Sequence, residues 1–433
     1  MNIQLCIVLF VFWVLSWILN RKDIMSPWVV VSMIFLIITY ISIYISDIWD
    51  LYIAEETFAI LSLGILSIGI GTIISKVVNR FFGKRSLAYL NNEIKTIIIY
   101  NENTLVVISV LIFWVATVSI MSVARSISGT GGLSSLIYAY RLNSLAGSNT
   151  LPSIVSNLIL VNYAVGYIAL YVIINNWFAE HSVNKKLLIS VLLPAFIGLL
   201  QGARGNLIQY ILFSVVVYYY LYLIYTKKRN IDVTLLVKIV VVLAIAIAVF
   251  YFLKVALGRQ NEMEFVEYIG GLLCAPIKLL DVFVAEHHSK SVVWGLETFT
   301  NLISTIRRWS GQTGFVYRDY ANYRVINGIS LGNVYTAFRA YYSDFGMQGV
   351  FWCPMGIGLL TGWAYERAKS AISYKSINPY LFIYGYFFYG IAMLFYSNTF
   401  FEYIANVSFL KMLIVWYMAY QVFIKGKILI KLK

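Results

Sequence analysis

The chain has 433 residues, of which 61% are hydrophobic and 12% are charged, and its mean hydropathy is +0.79. These values exclude a soluble globular domain and indicate an integral membrane protein. The formal net charge is +14, but the lysines and arginines lie in short clusters between apolar runs, which is typical of membrane topology and excludes a nucleic-acid-binding face.

Continuous apolar runs predict about eleven transmembrane helices, because backbone polar groups inside hydrocarbon must bond to one another. The first run lacks a preceding basic segment and a following small-residue cleavage site, so we expect a retained span and not a signal peptide. The runs predict an all-α, polytopic membrane protein with a single transmembrane domain over 1–433. In chain order they cover 3–19, 28–47, 57–75, 104–122, 154–178, 187–201, 206–226, 233–255, 347–365, 379–397 and 407–424.

Basic residues fall on alternate connections between these runs. Arg21 with Lys22, Lys185 with Lys186, and the C-terminal lysines all lie on one side of the predicted bundle. The positive-inside rule makes that side cytoplasmic. By the same alternation, the N-terminus is predicted outside and the C-terminus in the cytoplasm.

Two segments predicted to be external are too long for simple connections, and loops of such length are often functional. The first covers 123–153 and the second covers 257–346. The second has apolar residues at near-helical spacing, which predicts short amphipathic helices on the outer membrane face. We expect interruptions near Gly270, Gly271 and Pro276.

Arg204 lies in a very short external turn, Gln201-Gly202-Ala203-Arg204-Gly205-Asn206. An arginine at membrane depth costs about 2.5 to 3.5 kcal/mol, so it normally has an anionic partner or a polar cavity. The glycines beside it let a ligand approach closely. The alternative is an interfacial anchor that extends its guanidinium to the lipid headgroups.

Further arginines are predicted on the same outer face, against the positive-inside trend. Because arginine can hold two phosphate oxygens at once, this group suits a lipid that carries phosphate or diphosphate. The alternative for individual members, such as Arg318 and Arg324, is an ordinary solvated loop. The group comprises Arg141, Arg259, Arg307, Arg308, Arg318, Arg324 and Arg339.

Asp344 stands immediately before the ninth predicted span, in Tyr341-Tyr342-Ser343-Asp344-Phe345-Gly346. It could act as a general base on an acceptor hydroxyl, or it could cap a helix. Glu267, Asp281 and Glu297 are alternative carboxylate bases without distinguishing context. Metal ligands are not predicted, because His287 and His288 are adjacent positions that do not share a helix face and the three cysteines are scattered. We therefore expect neither a metal nor another cofactor.

Several of these segments, in this order, resemble the Wzy-type oligosaccharide repeat unit polymerases, also called O-antigen polymerases. The resemblance covers about 123–366 and rests on Gly202-Ala203-Arg204-Gly205, on Tyr268-Ile269-Gly270-Gly271 with Leu280-Asp281, and on Asn333-Val334-Tyr335-Thr336 with Tyr342-Ser343-Asp344-Phe345-Gly346. It implies a GT-C-like architecture in the bacterial cytoplasmic (inner) membrane. It also implies polymerisation, at the outer face, of undecaprenyl-diphosphate-linked repeat units of an O-antigen or capsular polysaccharide.

The resemblance assigns expected roles to particular residues. Asp344 is the expected catalytic base, and Arg204, Arg259 and Arg339 are expected to bind the diphosphate. Further substrate-binding candidates are Arg141, Arg308, Tyr335 and Tyr341. The expected partners are the lipid-linked oligosaccharide, membrane lipid, and a chain-length regulator and a flippase. Two alternatives remain open, an O-antigen ligase of similar architecture and a flippase or transporter of the lipid-linked oligosaccharide.

Overall fold

The computed structural model describes residues 1–45, 52–82, 93–129, 131–145, 151–228, 265–286, 293–312, 324–326, 328–370 and 376–427, and short pieces between 237 and 252. The chain forms two compact units. The first comprises Met1–Tyr89, Met263–Ala371 and Pro379–Val407, and the second comprises Leu90–Glu262, Ile372–Asn378 and Ser408–Lys433.

Helices make up nearly all of the described secondary structure. A small antiparallel hairpin is the exception, in which Ile326 pairs with Ile329. In chain order the elements are α1 Asn2–Leu19, α2 Pro27–Tyr44, α3 Glu55–Phe81, α4 Glu102–Ser128, α5 Leu133–Leu145, α6 Ser153–Glu180, α7 Lys185–Leu200, α8 Gly205–Thr226, α9 Phe265–Ala285, α10 Thr300–Trp309, β1 Arg324–Ile326, β2 Ile329–Gly332, α11 Ala337–Ser370, α12 Pro379–Ala392, α13 Thr399–Ile404 and α14 Val407–Ala419, which continues as the π-helical turn Tyr420–Ile424.

Eight helices among the described residues are long and apolar enough to cross a membrane. They are Asn2–Leu19, Pro27–Tyr44, Glu55–Phe81, Glu102–Ser128, Ser153–Glu180, Gly205–Thr226, Tyr268–Ala285 and Val407–Ile424. The prediction of an all-α, multi-pass membrane protein is confirmed at this level. Seven of the eight correspond to predicted spans, whereas Tyr268–Ala285 lies in the segment 257–346, which the sequence predicted to be an external loop. Three further predicted spans correspond to α7, to the main part of α11 and to α12, and the predicted span 233–255 lies largely outside the described residues.

Helix α9 differs from the expectation for the segment 257–346. The sequence predicted short helices with interruptions near Gly270, Gly271 and Pro276, but α9 is one continuous helix of 21 residues. Pro276 is buried inside it. Proline is tolerated in such helices because neighbouring helices can satisfy the backbone groups that proline leaves without a partner.

Helices α3 and α11 approach each other so closely that glycine is required where they touch. A Cβ atom at Gly71 would lie 2.2 Å from the Met355 carbonyl oxygen, and one at Gly358 would lie 2.2 Å from the Ile68 carbonyl oxygen. Small residues at interhelical contacts are typical of membrane proteins, where van der Waals packing of backbones replaces the hydrophobic effect. The Ser75 hydroxyl adds a hydrogen bond of 2.6 Å to the Leu359 carbonyl across this contact.

Polar clusters lie at both ends of α11. Near its C-terminus, the Lys369 amine lies 2.6 Å from the Asp23 carboxylate. Near its N-terminus, the Arg339 guanidinium lies 2.7 Å from the Glu297 carboxylate. At a rise of about 1.5 Å per residue, α11 separates these clusters by up to about 45 Å, so the first unit carries two distinct polar regions.

The second unit has an apolar core where α4, α5, α6 and α7 meet. Ile120 of α4, Leu136 and Tyr140 of α5, Ile159 of α6 and Ile197 of α7 are among its buried members. Helix α5 therefore occupies the segment 123–153, which the sequence predicted to be an external loop, and packs one face onto the ends of the longer helices.

The α3–α11 contact predicts that Gly358→Ala destabilises the protein. The added methyl group forces the two backbones apart, and overpacking of this kind costs about 1 to 3 kcal/mol. Purified protein in detergent should therefore unfold at a lower temperature.

Gly356→Ala is the matched control on the same helix. No atom lies within 4 Å of a Cβ built there, and alanine improves helix propensity by about 1 kcal/mol. This variant should be at least as stable as the wild type. If both variants unfold at the same temperature, the close backbone contact is not present.

Candidate functional site

The Asp344 carboxylate holds the turn that precedes α10. It accepts hydrogen bonds from the backbone N–H groups of Glu297 at 3.2 Å and Thr298 at 2.6 Å, and the residue is only 5% exposed. Both carboxylate oxygens therefore accept a hydrogen bond from a backbone N–H group, and such charge-assisted bonds are strong. This geometry favours a positioning role for Asp344, close to the capping alternative considered from the sequence.

The Asn398 side chain binds the backbone carbonyl groups of the same turn. Its amide nitrogen donates to the Glu297 carbonyl at 3.2 Å and to the Thr298 carbonyl at 2.8 Å. Its oxygen accepts a hydrogen bond of 3.0 Å from the buried Tyr341 hydroxyl. Asp344 and Asn398 thus fix both polar edges of one short stretch of backbone, which orients the Glu297 side chain.

Arg339 is paired with Glu297 inside the protein. The distance between the guanidinium and the carboxylate is 2.7 Å, and both side chains are buried. The Arg339 guanidinium also lies over the rings of Phe283 and Tyr335, at 5.4 and 5.3 Å from their centroids. Such contacts partly offset the cost of removing a cation from water. The positive charge of Arg339 is therefore balanced by a carboxylate.

A second ion pair lies beside Tyr335 at this end of the first unit. Arg324 pairs with Glu286, and both side chains are partly exposed. A hydrogen bond to Tyr335 and, after it, the Glu286 carboxylate raise the pKa of Arg324, against an opposing effect of burial. Tyr335 thus contacts Arg339 with its ring and Arg324 with its hydroxyl.

An aromatic pair with one exposed member adjoins the turn. Trp294 is 75% exposed, and its ring meets Phe345 edge-on with centroids 4.9 Å apart. The C–H face of a sugar ring is apolar and complements the electron-rich face of an aromatic ring. The pair therefore offers a surface of the kind that contacts carbohydrate. Trp294 precedes Glu297 by three residues, and Phe345 directly follows Asp344.

In the second unit, Arg204 stands directly before α8 and is only 6% exposed. The preceding turn needs glycine at Gly202, whose φ is +69°. A Cβ atom there would also lie 3.0 Å from side-chain carbons of Arg141. The fold therefore brings Arg141, from α5, to the turn that carries Arg204.

Polar groups surround this turn. The Asn206 amide donates a hydrogen bond of 2.7 Å to the Tyr163 hydroxyl. Burial raises the pKa of the Tyr140 hydroxyl, and a hydrogen bond with Gln201 opposes that effect. The Gly202 turn thus combines two arginines with several hydroxyl and amide groups.

The other sequence-based candidates are placed differently. Arg308 is exposed in the last turn of α10, which also exposes Leu302, Ile306 and Trp309. Arg259 lies outside the described residues. Within the described part of the chain, no group of three or more His, Cys, Asp or Glu side chains could hold a metal ion.

Four candidates from the sequence, Asp344, Arg339, Tyr335 and Tyr341, fall into one connected cluster, and Arg204 and Arg141 meet at one turn. Sequence reasoning missed Asn398 and gave Glu297 no distinguishing context. Their only sequence signal was a polar side chain beside an apolar run. No family model, no curated protein and no solved structure matches the chain.

The turn predicts that Asp344→Asn is destabilising. Asparagine offers one acceptor oxygen and turns an NH2 group towards the second backbone N–H, and a hydrogen bond to a charged group is worth about 1.5 to 3 kcal/mol. The unfolding temperature in detergent should fall together with any activity.

Glu286→Gln is the control, because it also neutralises a carboxylate of the first unit but in a partly exposed ion pair. Such pairs contribute about 0 to 1 kcal/mol, so this variant should unfold near the wild-type temperature. An Asp344→Asn protein of full stability but without activity would instead favour Asp344 as the general base.

Proposed function

We propose that the chain is a glycosyltransferase that polymerises undecaprenyl-diphosphate-linked oligosaccharide repeat units at the outer face of the bacterial cytoplasmic membrane. The observation that carries the proposal is the buried network of Asp344, Glu297 and Arg339 near the exposed Trp294 and the half-buried Phe345. A carboxylate is held in place there next to aromatic rings that suit a sugar.

The reaction requires one bond to form and one to break. The acceptor hydroxyl of a new lipid-linked unit attacks the anomeric carbon of the growing glycan and gives its proton to a base. The bond from that carbon to the lipid diphosphate breaks, and the diphosphate leaves with the electron pair. The protein therefore needs a base near the acceptor and cations near the leaving group.

Glu297 and Asp344 are the candidate bases that meet at this turn. Asp344 has both oxygens occupied by backbone N–H groups, whereas the Glu297 carboxylate is paired with the Arg339 side chain. We assign Asp344 to positioning and Glu297 to the acceptor hydroxyl, with Arg339 orienting the Glu297 carboxylate. This assignment modifies the role expected for Asp344 from the sequence.

Within the second unit taken by itself, Arg204 and Arg141 are the candidates for binding a diphosphate. A planar guanidinium can hold two phosphate oxygens, and a buried position strengthens such a contact. The proposal includes about eleven spans, an external N-terminus and a cytoplasmic C-terminus, which the hydropathy and charge patterns support. It also includes a GT-C-like architecture, which the resemblance to the polymerases implies. Arg259 remains a sequence-based candidate for the same role.

The proposed function predicts that protein reconstituted in lipid converts a defined undecaprenyl-diphosphate oligosaccharide into a ladder of products. The ladder should lengthen by one repeat unit per step. Intact substrate that crosses the vesicle membrane without new bonds would instead identify a flippase, and transfer of glycan to a different acceptor without a ladder would identify a ligase.

Arg204→Lys separates the diphosphate role from the anchoring alternative. Lysine keeps the charge but loses the planar fork, and such contacts are worth roughly ten- to a hundredfold in rate or affinity. We expect a loss of that size in polymer yield, and a larger loss for Arg204→Ala.

Arg125→Lys is the control, since Arg125 is an exposed basic residue in the last turn of α4 of the same unit. It should make polymer like the wild type. The amount of each variant in the membrane is measured alongside, because a misfolded protein would imitate an inactive site. Normal polymer from Arg204→Lys would leave Arg204 as an anchor to the headgroups.

A further inference from the structure

A buried cluster of charged side chains lies at the end of α11 opposite Arg339, and the proposed function does not use it. The Lys369 amine lies 2.6 Å from the Asp23 carboxylate. The Tyr365 hydroxyl lies 2.9 Å from each Asp23 oxygen. Asp23 therefore joins the connection between α1 and α2 to the last turns of α11.

Lys76 of α3 brings a second buried amine to the same region. It donates to the Leu19 carbonyl at 2.6 Å and lies 3.4 Å from the Asn20 amide oxygen. It interacts electrostatically with its neighbours, which are Glu366, Lys369, Arg80 and Arg21. Several cations thus converge around two carboxylates.

Exposed basic residues form a rim on this cluster. Arg21, Lys22 and Arg80 are exposed, and the first two have left-handed backbone conformations with φ of 58° and 65°. Long side chains disfavour this conformation. The turn nevertheless holds two adjacent cations at the end of α1. With Lys76 and Lys369, five basic side chains accompany Asp23 and Glu366, which leaves an excess of positive charge.

Aromatic residues place this rim at the level expected of lipid headgroups. The Lys22 amine lies 5.3 Å from the Trp17 ring centroid. Trp17 in turn stacks on Trp13, with centroids 6.4 Å apart. Tryptophan is enriched where a membrane meets water, because its ring is apolar and its N–H is polar.

Asn79 supplies an independent sign of a missing polar partner. It is 3% exposed, and neither polar atom of its amide has a hydrogen-bond partner among the described residues. It follows Lys76 by three positions on α3, so the two share a helix face. An unsatisfied buried amide is destabilising, and a polar ligand or the water it carries can supply the missing hydrogen bonds.

We propose that Arg21, Lys22, Lys76, Asn79 and Arg80, which adjoin this cluster, form a site that binds a phosphate group. The phosphate is that of an anionic phospholipid headgroup. Basic pockets between membrane helices hold such headgroups. The positive-inside rule alone explains exposed basic residues, but it does not explain buried lysines beneath them or an unsatisfied amide. The proposal stands whether or not the chain is a polymerase.

The test uses the full chain purified in detergent and follows its unfolding temperature as lipid is added. Phosphatidylglycerol should raise this temperature, and phosphatidylcholine, which has no net charge, should raise it much less. In the triple variant Arg21→Gln/Lys22→Gln/Arg80→Gln, the phosphatidylglycerol concentration that gives half of the maximal rise in unfolding temperature should increase by at least about tenfold.

Lys185→Gln/Lys186→Gln/Lys227→Gln is the matched control. These three residues are exposed at helix ends of the other unit, so the variant loses the same charge. It should respond to phosphatidylglycerol like the wild type. Equal weakening in both triple variants would overturn the proposal, because it would show a general effect of net charge.

Two further ligands, tested in the same way, identify the source of the phosphate. An effect of phosphatidylcholine equal to that of phosphatidylglycerol would overturn the proposal in favour of acyl-chain binding. Glycerol 3-phosphate carries the same chemical group without a lipid chain and should have little effect at the same concentration. If it matches the lipid, the assignment to phospholipid is wrong and the ligand is a soluble phosphate.

The single variant Lys22→Gln is a milder change and should weaken the response to phosphatidylglycerol only in part.

Discussion

The backbone contact between α3 and α11 is the constraint on which the first unit depends. Gly71 and Gly358 allow the two helices to touch, and any side chain at either position would collide with a carbonyl oxygen. Because the contact fixes the register of the helices, it also fixes what meets at their ends. Tyr342 of α11 donates to Glu56 at one end of α3, and Lys76 reaches the Lys369 region at the other. One apolar contact thus positions two polar regions.

The turn at Glu297 and Thr298 shows how polar groups are accommodated in such an apolar protein. Asp344 accepts from its two N–H groups, and Asn398 donates to its two carbonyls. A network in which every buried member has a partner is stable in a low dielectric, whereas a partly satisfied one is costly. The satisfied network makes the turn rigid, which suits the role proposed for Glu297 as a base.

Arg339 and Arg204 are both buried, but their surroundings suit different roles. Arg339 contacts the Glu297 carboxylate and two aromatic rings, so its positive charge is balanced and it orients that carboxylate. Arg204 sits at a glycine-containing turn with Arg141 beside it. A glycine-containing turn with two arginines suits an anionic ligand, and this is the reason for proposing Arg204 as a ligand of the diphosphate.

Hydropathy by itself determined the membrane class and most helix positions, since a helix in lipid must be a continuous apolar run. The predicted run 206–226, for example, corresponds to Gly205–Thr226. The sequence also singled out Arg339, Asp344, Tyr335 and Tyr341 one by one. Only the tertiary structure decided that they belong to one cluster and that Asn398 completes it. These outcomes depend on contacts between segments far apart in the chain, and local periodicity carries no information about such contacts.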